Sequence, residues 1–353
     1  MEKIKKETLK GLTLEELENL FVSNGYEKFR ASQVFNWMYN HVVFDFDEMK
    51  NLSKETRKSL SESYKLQTLD LVDIQSSPST NTKKYLFETY DGRKIESVLI
   101  PEKERNTLCI STQVGCPLDC KFCATGLMGY KRNLTAGEIV DQYLLTAKDV
   151  GKNKITNIVF MGMGEPLLNF ENTLKSIEIF THELTKGLSR TRITVSTAGI
   201  ANKIKELTDK NYRIKLALSL HSPFEEVRSK IMPINKKYSL SENLMALKEY
   251  AVKSRTRITF EYTMLKGIND RLEDAKELAR ICSKLPSKIN IIPFNSIKHM
   301  DPSGISAELE PTPMIEIHRF ADRLRSYNIT VMIRETQGDD IAAACGQLAV
   351  KYN

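Results

Sequence analysis

The chain has 353 residues, 41% of them hydrophobic and 27% charged, with a formal net charge of +7. These values fit one large globular domain with a small accessory one, and they exclude a disordered chain. No apolar run reaches the ~20 residues of a membrane-spanning helix, and Met1 to Glu7 offers no apolar core for a secretory signal; a cytoplasmic protein with no membrane partner is expected.

Residues 1–65 read as a helical accessory domain. Thr13 and Glu16 have capping-box spacing, Leu14, Leu17, Leu20 and Phe21 supply an apolar face, and Gly25 is a stop signal. A second helix is expected from about Arg30 to His41, and Ser53 is placed to cap a third before Leu60. Lys28, Arg30, Lys54, Arg57 and Lys58 make this unit either an RNA-docking module or a packing extension of the main domain. The net charge suits an RNA partner without requiring one.

Residues 66–107 form a strand-rich connector. Runs 85–89 and 94–100 flank Asp91-Gly92, a pair that tolerates the left-handed backbone of a hairpin turn. Glu96 shares a strand face with Val98 and Ile100. It is either an ordinary edge charge or a base whose pKa is raised by apolar neighbours.

From 108 to 348, strand and helix patterns alternate, leaving 349–353 as a tail. Strands are expected near 108–113, 156–161, 192–196, 214–220, 258–264, 288–294 and 329–334, with helices such as 135–150, 171–184 and 240–253 between them. That order specifies an α/β fold with a parallel sheet. Cys109, Ser111 and Gln113 share one strand face, as do Arg192, Thr194 and Ser196, then Lys215, Ala217, Ser219 and His221, then Thr259, Glu261 and Thr263. A closed barrel fills its interior with branched apolar side chains. A face that is polar in strand after strand argues instead for a partial, open βα barrel with a functional lumen.

The chain has six cysteines, and in a reducing compartment these point to metal or thiol chemistry before disulfides. Cys116, Cys120 and Cys123 are spaced C-x3-C-x2-C. Four thiolates would complete a zinc site, and no second paired unit exists. Three thiolates fit a [4Fe–4S] cluster with one iron left open. Cys282 lies on an apolar helical face with Leu278, Ile281 and Leu285 and reads as a core cysteine. Gly162-Met163-Gly164-Glu165-Pro166 follows a strand; alone it is a turn, and its glycines also permit close backbone approach to a ligand. His221 by itself reads as a hydrogen-bonded structural histidine.

The stretches Thr107–Cys116, Met161–Pro166, Ser219-Leu220-His221 and Ala344–Leu348 together resemble, in order, the RlmN/Cfr family of radical S-adenosylmethionine RNA methyltransferases. The resemblance spans about residue 90 to residue 348 and implies a radical-SAM partial barrel. It implies that Cys116, Cys120 and Cys123 hold the [4Fe–4S] cluster. Gly164, Glu165, Ser196, Ser219, Leu220, His221 and Asn295 match the positions that bind S-adenosyl-L-methionine, and Phe122 matches an aromatic near its adenine. Cys345 and Cys109 match the two catalytic thiols, and Glu96 matches the base.

The implied reaction uses two S-adenosylmethionine molecules per turnover. The first methylates Cys345, and the second is cleaved to a 5′-deoxyadenosyl radical that activates this methyl group for attack on adenine. Glu96 takes the ring proton, and Cys109 releases the product by forming a disulfide with Cys345. Gly164–Asn169 and Gly338-Asp339-Asp340 look like the branch that methylates carbon 2 of adenine in 23S rRNA and tRNA; the alternative is the Cfr branch, which methylates carbon 8 and confers antibiotic resistance. A cellular electron donor, a thiol reductant and a monomeric enzyme complete the expectation.

Overall fold

The computed structural model describes residues 6–185 and 187–350, so part of the expected 349–353 tail lies outside the described residues. A short strand β1 (Glu7–Thr8) precedes helices α1 (Leu14–Ser23), α2 (Lys28–Tyr39) and α3 (Lys54–Ser63), and pairs in parallel with β2 (Tyr64–Lys65). Strands β3 (Leu69–Ser76), β4 (Lys83–Thr89), β5 (Lys94–Pro101) and β6 (Asn106–Cys109) follow, then β7 (Gln113–Gly115), α4 (Ala124–Leu127) and β8 (Tyr130–Asn133). The remainder alternates: α5 (Ala136–Val150), β9 (Asn157–Phe160), α6 (Phe170–Thr181), β10 (Ile193–Thr197), α7 (Ala201–Asp209), β11 (Lys215–Ser219), α8 (Glu225–Ile231) and α9 (Leu240–Ser254). It continues with β12 (Ile258–Met264), α10 (Leu272–Cys282), β13 (Ser287–Pro293), α11 (Ile305–Glu308), α12 (Met314–Ser326) and β14 (Val331–Ile333).

Local chemistry sets many of these boundaries. Thr13 and Glu16 form the expected reciprocal capping box on α1, and Thr135 with Glu138 and Ser239 with Glu242 repeat it on α5 and α9. Ser53 accepts from the Thr56 amide at the start of α3. Helix α2 starts and ends two residues earlier than the apolar spacing suggested.

Ten strands form one sheet in the order β14-β13-β12-β11-β10-β9-β6-β5-β4-β3. Pairing is parallel from β14 to β6 and antiparallel from β6 to β3. Among the described residues β14 and β3 do not pair, so the βα barrel is partial and open, as the polar strand faces led us to expect. The Asp91-Gly92 hairpin joins β4 to β5, and β5 continues the sheet through Val98 opposite Cys109.

The first parallel strand is shorter than its pattern suggested. It ends at Cys109, and Ser111 and Gln113 do not share its lumen face. The Ser111 hydroxyl donates to the Glu96 carbonyl at 2.6 Å and accepts from the Met163 amide at 2.8 Å. Gln113 accepts from the Glu165 amide at 2.9 Å. Both polar side chains brace loops whose backbone groups would otherwise be buried without partners. Arg192 lies in a turn before β10 and is exposed. Cys282, at the last residue of α10, is only half-buried, although Leu278, Ile281 and Leu285 beside it are core residues.

The N-terminal helices dock on the barrel through one fully buried charge pair. Lys10 Nζ lies 3.9 Å from Asp141 Oδ1 on α5, with both side chains at 0% exposure. Neither atom has a hydrogen-bond partner among the described residues. The ammonium sits over the Phe44 and Tyr39 rings, and Asp141 Oδ2 accepts from the Thr68 amide and hydroxyl, both at 2.6 Å. Burial outweighs Asp141 and draws the Lys10 pKa down to about 8. Asp141→Ala should therefore cost about 3–5 kcal/mol by leaving a buried ammonium unpaired. Denaturant titration should show that loss, and Lys10→Met in the same chain should recover much of it.

Candidate active site

The ends of successive parallel strands converge, because parallel strands deliver every carboxyl end to the same rim of a sheet. Cys109 closes β6, Glu165 follows β9, Ser196 lies near the end of β10, Ser219 closes β11, and Asn295 follows β13. Their side chains reach that rim from stretches far apart in sequence.

The three-cysteine loop spans the gap between β7 and α4. The Cys116 amide donates to the Gly129 carbonyl at 3.1 Å, and the Cys123 amide to the Cys120 carbonyl at 3.1 Å. A small apolar core of Leu118, Phe122, Ala124, Ile231 and Phe294 surrounds it. Burial first, and then mutual repulsion with neighbouring loop thiols, raises the pKa values of Cys116 and Cys120; burial also raises that of Cys123. Backbone amides of Leu118, Thr125 and Gly126 point at the sulfurs of Cys116 and Cys123, which stabilises thiolates. Three converging thiols in an apolar shell are poor bare anions and need a metallic counter-charge. Three thiolates are the donor set that a [4Fe–4S] cluster with one open iron takes.

Loop 162–166 packs against this region through glycine. Gly164 has φ +100°, and a Cβ there would stand 2.6 Å from Gln113 Cβ. Glu165 is buried; its oxygens accept from the Leu167 amide at 3.0 Å and the Ala198 amide at 2.7 Å. Burial raises its pKa to about 7 against those hydrogen bonds. The carboxylate thus ties the β9 and β10 loops together.

His221 adopts φ +52° and is fully enclosed. Its Nδ1 accepts from the Thr263 amide at 2.9 Å, and its ring meets Phe122 edge-on at 4.5 Å. Burial and the Arg228 charge pull its pKa down to about 3, so the ring is neutral with its proton on Nε2. Asn295 Nδ2 donates to the Cys345 carbonyl at 3.1 Å, which links the cofactor-matched positions to the C-terminal thiol segment.

Cys109 and Cys345 lie near enough for the charge of one to act on the other. Burial pushes the Cys109 thiol up to about 12, and a charge on Cys345 would raise it further. Cys345 is exposed to solvent, although the protein around it raises its pKa. Burial raises it, Arg334 opposes, and Cys123 of the loop is near enough to add to the rise. The Ala124 amide donates to the Gly346 carbonyl at 2.7 Å, and the Thr125 hydroxyl to the Leu348 carbonyl at 2.6 Å, fastening this segment to the cysteine loop. Glu96 also joins: Oε2 accepts from the Ala349 amide at 3.0 Å, and Oε1 pairs with Lys84 at 3.1 Å. Burial raises its pKa, with Lys84 opposing.

Two residues escaped the sequence reading. Arg228 has 0% exposure and donates to the carbonyls of Ala198, Ser219 and Leu220 and to Asn235 Oδ1, at 2.5–3.0 Å. It pins the β10 and β11 ends and sets a positive charge near Cys120. Nothing in its amphipathic helix distinguished it. Arg334, one residue past β14, lies 3.6 Å from Glu261 and near both Cys109 and Cys345; the polar alternation around Glu261 was its only signal.

Residues 8–66 match a family model described as the ribosomal RNA large subunit methyltransferase N-terminal domain, and residues 110–280 match the radical SAM superfamily. A Thermotoga neapolitana protein named "Probable dual-specificity RNA methyltransferase RlmN" is 46% identical over 340 residues, covering 96% of each chain. One of the same name from Clostridium botulinum is 44% identical over 346 residues, covering 98% of this chain and 99% of its own. A crystal structure of a radical SAM methyltransferase from Sphaerobacter thermophilus superposes with a TM-score of 0.91 at 39% identity, covering 97% of this chain and 99% of that one. With its open barrel and three-cysteine loop, the chain belongs to the RlmN family of radical S-adenosylmethionine RNA methyltransferases.

Proposed function

We propose that this enzyme methylates carbon 2 of adenine, at adenine 2503 of 23S rRNA and adenine 37 of tRNA. The observation that carries this reading is that Cys345 lies near enough to Cys109 and to Cys123 of the cysteine loop to act on their charges, since a passive iron–sulfur protein has no use for paired thiols there. Carbon 2 is an electron-poor sp² centre and does not displace a methyl group from a sulfonium by ordinary nucleophilic attack. Cys116, Cys120 and Cys123 would hold a [4Fe–4S] cluster able to supply an electron, and two S-adenosylmethionine molecules per turnover would supply the methyl group and the hydrogen-abstracting chemistry.

Gly164, Glu165, Ser196, Ser219, Leu220, His221 and Asn295 hold S-adenosylmethionine in this reading. The neutral His221 leaves Nε2–H as a donor, and buried Glu165 keeps the strand-end loops in register. Cys345 carries the methyl group as a thioether, which its exposure permits. Once one hydrogen atom has been removed from the methyl group, its carbon bonds to carbon 2; Glu96 takes the ring proton, and the unpaired electron of the adduct would return to the cluster as the ring regains aromaticity. Lys84 favours the ionised carboxylate that this proton transfer requires. Cys109 then attacks the Cys345 sulfur. The S–C bond breaks, its electron pair stays with carbon, and protonation completes the methyl group. The resulting disulfide is reduced by cellular thiols. Arg334, beside both sulfurs, offsets the cost of forming the attacking thiolate. The protein works as a cytoplasmic monomer fed by a cellular electron donor.

Nucleoside mass spectrometry of RNA treated with the reconstituted enzyme should show 2-methyladenosine against reference standards. The 8-methyl isomer alone would move the assignment to the Cfr branch. Cys109→Ala should leave RNA covalently attached to Cys345 and visible as a protein–RNA adduct on denaturing gels; release of methylated RNA at the wild-type rate would remove Cys109 from the reaction.

A further inference from the structure

A cleft of about 460 Å³ lies at the seam between the N-terminal helices and the antiparallel arm of the sheet. Its lining includes Lys6, Phe44, Lys65, Gln67, Asp70 and Tyr90. None of these belongs to the reaction site, yet the cleft stands at the same end of the sheet. Leu69 pairs with Thr89, which brings Tyr90 to the mouth of the cleft. From that turn β5 runs to Val98 opposite Cys109. The β7–β8 hairpin, which leads into and out of the cysteine loop, leans on the same turn. Its Arg132 bonds Asp91 at 2.8 and 2.9 Å and sets its guanidinium 4.8 Å from the centre of the Tyr90 ring. Tyr90 is 62% exposed, Tyr130 is 45% exposed, and Lys131 is exposed between Tyr130 and Arg132. An aromatic and basic track thus joins the rim of the reaction site to the cleft.

The cleft's chemistry matches one kind of occupant. Its volume lies in the range of small-molecule sites. An exposed aromatic ring backed by a guanidinium is a platform for any nucleobase, because every base has a π-face. Lysine ammonium groups at the rim complement a phosphodiester. Gln67 Nε2 is committed to the Leu69 carbonyl at 2.7 Å and Asp70 Oδ1 at 2.9 Å, which fixes the amide and leaves its oxygen to accept from a base amino group or a ribose hydroxyl.

We propose that this cleft holds an unpaired nucleotide of the RNA substrate that flanks the target adenine, its base stacked on Tyr90 and its phosphate beside Lys6 and Lys65. The proposal rests on the assignment of the chain as an RNA methyltransferase. It adds a second grip on single-stranded RNA, away from the reacting base.

The test uses the full-length reconstituted enzyme and an RNA hairpin containing the target adenine. Tyr90→Ala and Lys65→Ala should each weaken RNA binding, by fluorescence anisotropy, and raise KM for RNA about tenfold, with kcat within about twofold. Tyr90→Phe should retain wild-type values. RNA with 5-iodouridine beside the adenine should photocrosslink to Tyr90 or Phe44. Unchanged Kd and KM in both variants, or a fall in kcat alone, overturns the nucleotide site even if wild-type enzyme makes 2-methyladenosine. If wild-type enzyme modifies another atom while Tyr90→Ala still loses RNA affinity, the site stands and only the carbon-2 assignment falls.

Discussion

The structure depends on one return of the chain. After β14 the backbone crosses back over the open barrel, and hydrogen bonds hold it there, among them Ala124 amide to Gly346 carbonyl, Thr125 hydroxyl to Leu348 carbonyl, and Ala349 amide to Glu96. Asn295 adds one to the carbonyl of Cys345 itself. Two of these use the turn of α4 that begins just after Cys123, so the loop that collects three thiols also fixes the segment that presents a fourth. Gly346 has φ +84°, and a Cβ there would lie 3.2 Å from the Phe122 carbonyl. The close approach of the two segments therefore requires glycine.

Buried charge supports this arrangement from below. Arg228 binds three carbonyls from two strand ends and remains cationic with its pKa drawn down to about 10 by burial. An isolated guanidinium would be costly there, and its hydrogen bonds and the nearby thiols offset that cost. Glu165 plays the complementary role for the amides of Leu167 and Ala198. The loops at the carboxyl ends of the strands are thus held by ionisable side chains rather than by apolar packing alone, which leaves the rim polar and its geometry fixed.

Much of this was legible in the sequence, for identifiable reasons. Parallel strands sandwiched between helices and lumen show their period directly, and β9 to β13 lay within two residues of expectation at either end. The three-cysteine loop was legible because its cysteines fall within eight residues of one another. The early end of β6 was not, since Ser111 and Gln113 continue the strand alternation while their side chains bind backbone of β5 and of loop 162–166 instead. The docking of the N-terminal helices was equally hidden. Lys10 reads as a solvated lysine until Asp141, more than a hundred residues later, is placed beside it. Arg228 and Arg334 share that property: their partners are carbonyls, or groups on other strands, that leave no periodic trace.

The hydrogen bond from Thr125 to Leu348 spans 223 positions of sequence. A ribosome therefore completes the cysteine loop, and most of the sheet around it, long before it makes the segment that carries Cys345. Until that segment arrives, the cysteine loop lacks one of its walls and stands open to solvent and oxidants. The last part of the chain to be made thus serves as a cover for the loop as well as the bearer of a thiol.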